Sequence, residues 1–253
     1  SKGEAGKGQH EINLRYADAL TMADRHAIYK NGAKEIAALA GRSITFMAKY
    51  SMEEVGSSCH LHSSVWTADG NESLMWDADA PDHMSDTMRG WLGGIIATGA
   101  EFAWLFAPYV NSYKRYQPES WAPTALAWGR DNRTCGYRIV GHGAGFRMES
   151  RVPGADVNPY LAYAATIAAG LHGIEAGLEP GDPFAGNAYA DASLARVPHT
   201  LVDAIAAFEG SEVARAAFGE EVHHHLLNTA RQEWNACNRV VTDWERRRNF
   251  EQI

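Results

Sequence analysis

Cysteine is scarce in this sequence, and long apolar or basic runs are missing. Three cysteines stand among 253 residues: Cys59, Cys135 and Cys237, widely spaced and with no CxxC pair. This excludes a disulfide framework and a cysteine-rich zinc site, and it fits a reducing compartment, so the cytoplasm is the expected location. No apolar run approaches the ~18 residues of a membrane span, so no membrane partner is expected. The one dense basic patch is the short ERRR at 245–248, while Asp+Glu outnumber Lys+Arg 31 to 23. A formal charge of −8 argues against nucleic acid as a partner. GxxxxGK[ST] and GxGxxG are both missing, so neither a P-loop nor a dinucleotide fingerprint is present.

What is present suffices for a core: 45% of the residues are hydrophobic. The Gly-rich start leads to a strand over 10–14. Helical spacing of Leu20, Ala23, Ala27, Ile28, Ile36 and Leu39 predicts a helix over 17–40, stopped near Gly41. Alternation predicts strands at 44–48, 59–66, 137–140 and 146–152. Ser85 caps a helix expected to run to 107, ahead of Pro108, and Asn158-Pro159 opens an Ala-rich helix to about 177. Thr200 to Asp203 resembles a capping box, Ser211 opens a short helix, and one long helix is expected over 220–248. Helices interspersed with short strands indicate an α+β fold with an antiparallel sheet, taken as one unit over 1–253.

Two strands have polar faces unsuited to solvent alone. Alternation puts His60, His62 and Ser64 on one face, and Arg147, Glu149 and Arg151 on another, with Phe146, Met148 and Val152 behind. Histidine with a carboxylate suits a divalent metal; arginines beside them suit phosphate or carboxylate. The plain alternative is two solvated amphipathic strands. Glu4 and Glu11 flank a tight Gly turn and could approach one hard cation. Six arginines, at 115, 130, 133, 138, 147 and 151, crowd one stretch of an acidic chain. HHH at 223–225 is read as surface and partly buried positions, because adjacent helical residues point apart.

Five ordered motifs then carry a resemblance: EAGKGQHE (4–11), GSSCHLHSS (56–64), NSYKRYQPESWAP (111–123), WGRDNRTCGYR (128–138) and RMESRVPGADVNPYL (147–161). The chain resembles the catalytic domain of the glutamine synthetase superfamily from Glu4 onward. The resemblance implies a half-barrel of antiparallel strands packed with helices. It implies ATP as co-substrate, two or three Mg²⁺ or Mn²⁺ ions, and a γ-glutamyl phosphate intermediate. By similarity, Glu4 and Glu11 hold one metal and His60 and Glu149 another. His62, Ser64, Arg133, Arg138 and Arg147 bind ATP, with Arg133 and Arg138 catalytic. Gly56, Arg115 and Arg151 position glutamate. The family's small N-terminal sheet domain and an upstream Glu-x-Glu strand are not in this stretch. Further residues are therefore expected upstream, and the full-length protein is expected as a homo-oligomer, a dodecamer of two hexameric rings.

Departures from the family pattern direct the substrate reading. Trp121 stands where ammonium-using members have Glu, and Val55 where they have Asn. An indole cannot deprotonate ammonium, but it offers a face to a larger amine. The expected function is ligation of glutamate to an organic amine: a polyamine, ethanolamine or an alkylamine. Ammonium-using glutamine synthetase and an inactive scaffold or regulatory relative are the alternatives. Tyr189 is in register with a modified tyrosine of the family, but its surroundings differ and modification is not expected.

Overall fold

The computed structural model describes residues 1–252. It begins with a hairpin, β1 (Lys2–Gly3) against β2 (His10–Glu11), shorter than the strand expected over 10–14. Helix α1 (Ala19–Leu39) follows, with Asp18 accepting from the Thr21 amide as its cap. Of the apolar positions that announced α1, only Ala23 is buried. Ala23 and His26 are buried, whereas Leu20, Ile28, Ile36 and Leu39 are exposed. One flank alone docks: Lys30 Nζ donates to the Ala155 and Val157 carbonyls, and Tyr160 Oη donates to Asp24. The strand expected at 44–48 is a loop instead.

The central sheet has the order β3 (Leu61–Ser63), β6 (Arg147–Ser150), β5 (Tyr137–Val140), β4 (Trp128–Arg130). Its first two pairings are antiparallel, but β4 and β5 run parallel, which corrects the antiparallel expectation to a mixed sheet. Leu61, Ile139, Phe146 and Met148 are buried in the main core. Helix α2 (Asp86–Thr98) joins that core: Trp91 donates to Ser63 Oγ, and Tyr137 Oη donates to the Ile95 carbonyl.

Ser85 caps α2 as expected, but the helix ends at Thr98. Residues up to 107 form a turn and the short α3 (Ala103–Phe106), and α4 (Val110–Tyr113) lies beyond Pro108. Asn158 caps α5 (Pro159–Ala176), accepting from the Tyr160 and Leu161 amides, and Gly177 ends it in the left-handed conformation. α2 and α5 cross so closely that a Cβ on Gly94 would strike the Ala169 carbonyl oxygen. Thr200 and Ser211 cap α6 (Leu201–Glu209) and α7 (Glu212–Phe218). The expected long C-terminal helix is two, α8 (Glu220–Asn238) and α9 (Asp243–Asn249). The break has a local cause: Thr242 and Glu245 form their own capping box, which starts a new helix. His223 is buried, its Nε2–H donating to the Phe208 carbonyl at 2.9 Å, while His224 and His225 are exposed.

Candidate active site

Strand register brings the two polar faces together. His62 and Arg138 are the direct cross-strand neighbours of Glu149, so His62, Glu149 and Arg138 form one row across β3, β6 and β5. Glu149 is 4% exposed, which rules out the solvated-strand reading. Its Oε2 accepts from Arg138 Nη1 at 2.9 Å; its Oε1 accepts from Arg151 Nη1 at 3.1 Å and lies 3.2 Å from His60 Nδ1. Burial alone would raise the Glu149 carboxyl, but hydrogen bonds from His60 and Arg138, with the Arg151 charge, hold it well below the usual carboxylate range.

The histidines around it are pushed down by burial against the pull of Glu149, so both are neutral near pH 7. Their tautomers follow from their partners. His60 turns Nδ1–H to Glu149, which leaves the lone pair on Nε2; that atom is buried with no hydrogen-bond partner among the described residues. His62 Nδ1 accepts from Arg147 Nε at 3.1 Å. Ser64 accepts from the Trp66 indole.

The remaining arginines divide into two kinds. Arg115 and Arg151 are 2% and 5% exposed, and the Nε of each is buried and unpartnered among the described residues. Arg115 donates to the Val152 carbonyl and lies against Gly56 so tightly that a Cβ there would strike its side chain. Arg133 is exposed and forms one wall of an open cleft of about 820 Å³ between residues 130–133 and 183–186. Sequence reasoning missed Asp131, which accepts from Arg138 Nε at 2.8 Å and braces that guanidinium opposite Glu149. Its signal was an acid inside an arginine-rich run.

Glu4 and Glu11 converge, as expected, at the hairpin. The Lys2 ammonium lies 3.1 Å from one and 3.4 Å from the other. The hairpin is pinned by Gln9, which donates to the Gly56 carbonyl and Ser57 Oγ. Among the described residues, no group of three His, Cys, Asp or Glu is disposed to hold a metal. Trp121 lies on the loop after Arg115. It is 66% exposed, with φ of 63°, on a loop tied down where Ser120 Oγ donates to the Arg115 carbonyl.

Comparison with known proteins agrees with this fold. The family model for the glutamine synthetase catalytic domain matches residues 1–249. The chain is 54% identical, over its full length, to γ-glutamylethanolamide synthetase GlnA4 of Streptomyces coelicolor, and 42% identical over 97% of its length to a glutamate–isopropylamine ligase of a Pseudomonas species. It spans 54% of each, about half the length of the relatives it matches. The solved GmaS/ADP complex superposes with a TM-score of 0.86 at 36% identity, covering 94% of this chain and 56% of that one. Among the described residues, no helix is long and apolar enough to cross a membrane. With the ordered motifs, the matched fold and the buried carboxylate–arginine row in agreement, this chain belongs to the glutamine synthetase catalytic-domain family.

Proposed function

We propose that this chain is the catalytic part of an ATP-dependent ligase joining the γ-carboxylate of glutamate to an organic amine. The observation that carries the choice of amine is Trp121, an exposed indole where ammonium-using members of the family have a carboxylate. Two relatives are named for ethanolamine and isopropylamine, which supports a short amine as substrate.

The residues present fit divalent metals. Glu4 and Glu11 already grip a single cationic atom, Lys2 Nζ, and His60 Nε2 is a buried lone pair without a partner beside Glu149. Glu4 and Glu11 supply two oxygen ligands, which suits Mg²⁺ or Mn²⁺, ions that take substrate phosphate oxygens and water as further ligands; His60 Nε2 supplies one nitrogen, with Glu149 turned to His60 Nδ1, Arg138 and Arg151. Bound there, the metals neutralise phosphate charge.

The chain's own groups account for the rest. A γ-carboxylate oxygen of glutamate attacks the terminal phosphorus of ATP, and ADP leaves with the bridging oxygen. Arg138, braced by Glu149 and Asp131, and the exposed Arg133 offset charge on the transferring phosphoryl group. Arg147, His62 and Ser64 flank the nucleotide. Gly56 leaves room for Arg115, and Arg115 with Arg151 holds the acid substrate, their free Nε donors being suited to a carboxylate. The amine, packed on Trp121, then attacks the acyl carbon; phosphate departs and the amine loses a proton. We propose further that the full-length protein is a homo-oligomer of two hexameric rings. The apolar side chains left exposed on α1, with Trp244 and Phe250 near the C-terminus, support burial between subunits.

The test is ADP release by the full-length protein from ATP, Mg²⁺ and glutamate, with ammonium, putrescine, spermidine, ethanolamine, isopropylamine and methylamine as acceptors. An organic amine should exceed ammonium in kcat/KM by orders of magnitude, and Trp121→Glu should shift the preference toward ammonium. Preference of the wild type for ammonium would overturn the reading in favour of an ordinary glutamine synthetase.

A further inference from the structure

Gln9 stands on the tight turn between Glu4 and Glu11, and its main chain and side chain are both fully engaged. Two bonds close the turn: its amide donates to the Gly6 carbonyl at 3.1 Å, and its Oε1 accepts from the Gly6 amide at 3.1 Å. Its carbonyl accepts from the Glu4 amide at 3.0 Å, which fixes the backbone of one metal-type carboxylate. Its Nε2 reaches out of the hairpin, donating to the Gly56 carbonyl at 3.0 Å and to Ser57 Oγ at 3.1 Å.

The segment it reaches belongs to the acid-substrate side. A Cβ on Gly56 would lie 2.5 Å from Arg115 Cγ, so the Gly56 backbone and the Arg115 side chain are in direct contact. Ser57 is tied in turn on both sides: its amide donates to the Ala48 carbonyl at 2.9 Å, and its carbonyl accepts from the Ala155 amide at 3.0 Å. The hairpin has no such support. Its strands are two residues each, and a two-stranded ribbon is marginal by itself. Among the described residues, its one other polar link to the rest of the chain runs from Lys7 to Glu54, with an amide bond of 3.4 Å and an exposed ammonium at 4.0 Å. A surface pair of that kind contributes little.

We propose that Gln9 is a positioning residue for the reaction: through Gly56 it fixes where the carboxylates of Glu4 and Glu11 stand relative to Arg115. This rests on the ligase reading above. The acid substrate must present its γ-carboxylate to phosphorus while its other end is held, so both ends of the pocket need one frame. Loss of the tie weakens both ends together. The nucleotide side, built on β3 and β6, has no hydrogen bond to Gln9 and keeps its geometry.

The variant is Gln9→Met in the full-length protein, which keeps the chain length and removes every side-chain bond. The Mg²⁺ dissociation constant is measured by calorimetry without nucleotide, KM is determined separately for glutamate and ATP, and the thermal midpoint is recorded. The Mg²⁺ constant and KM for glutamate should each rise roughly five- to fiftyfold, with KM for ATP within twofold. If wild type releases no ADP with glutamate and any amine, the ligase reading itself falls. If wild type is active and KM for glutamate stays within twofold, the role of Gln9 falls, whether Mg²⁺ binding is unchanged or weakened, since weakened metal binding alone shows a residue that serves its own turn. An equal rise in KM for ATP also overturns it, as general loosening. Should Gln9→Met fail to fold, Ser57→Ala carries the test, because it removes one cross-segment acceptor and leaves the turn intact. It should raise the same two constants two- to fivefold, and no change in either overturns the proposal.

Discussion

The row across β3, β6 and β5 and the loop that carries Trp121 are opposite solutions to placing a functional side chain. Glu149 is buried and holds two arginines and a histidine, and strand register sets Arg138 and His62 directly beside it. On the loop, Glu119 and Trp121 both adopt left-handed backbone, and the indole lies mostly in solvent. The row is a charge array set by hydrogen bonds before any substrate arrives, which is what the proposed phosphoryl transfer would use. The loop pays backbone strain to hold one side chain out. The charged row is built into sheet register, and the residue that departs from the family pattern sits on an exposed loop.

The comparison can be broken most forcefully at Glu149. Glu149→Ala leaves Arg151 buried without its carboxylate and Arg138 with Asp131 alone, and should destabilise the fold by about 3–5 kcal/mol in urea unfolding, with turnover lost. A loss under about 1 kcal/mol would show that the row is not a tightly coupled unit.

A second experiment probes whether burial has the same consequence outside the row. His26 on α1 is 8% exposed, and burial with the Lys30 charge depresses its pKa to about 4. Its folded pKa lies below the unfolded value, so protonation favours the unfolded chain. Stability is full above about pH 6.5 and falls toward pH 4, by at most about 1.4 kcal/mol per pH unit from this group. His26→Gln should flatten the melting-temperature profile over that window; an unchanged profile would remove His26 as its source.

Trp121→Gly sharpens the loop side. Glycine tolerates positive φ, so stability should hold or rise by up to about 1 kcal/mol, while selectivity for the organic amine falls. A large loss of stability would mean that Trp121 is a packing residue after all. The smallest effect is expected at Asp131, an exposed partner of Arg138. Asp131→Asn should cost less than about 1 kcal/mol in stability. Its readout is kcat, which should drop with KM for the amine unchanged if the brace orients Arg138.

Much of the site was legible in the sequence because strand alternation is strictly periodic. Once His60 and His62, or Arg147, Glu149 and Arg151, share a face, only register remains open. Helix caps at Ser85, Asn158, Thr200 and Ser211 were legible for a similar reason: the bond is local, between a side chain and an amide two or three residues on. Helix ends were less so. The long C-terminal helix divides at Thr242, and the helix from Ser85 stops at Thr98, where apolar periodicity continues but the chain turns. The apolar residues of α1 gave its length but not its buried face, since the spacing of Leu20, Ile28 and Ile36 defines a helix without saying what covers it.

By itself the sequence determined the family, the α+β composition, the pairing of Glu4 with Glu11, and the metal-type and arginine-type residues that meet at Glu149. These are consequences of local spacing and of side-chain chemistry. Only the tertiary structure decided that β4 runs parallel to β5 and that Asp131 braces Arg138. Each of these joins residues through the path of the chain in space, where packing and the need to pair buried polar groups act between segments that share no local pattern.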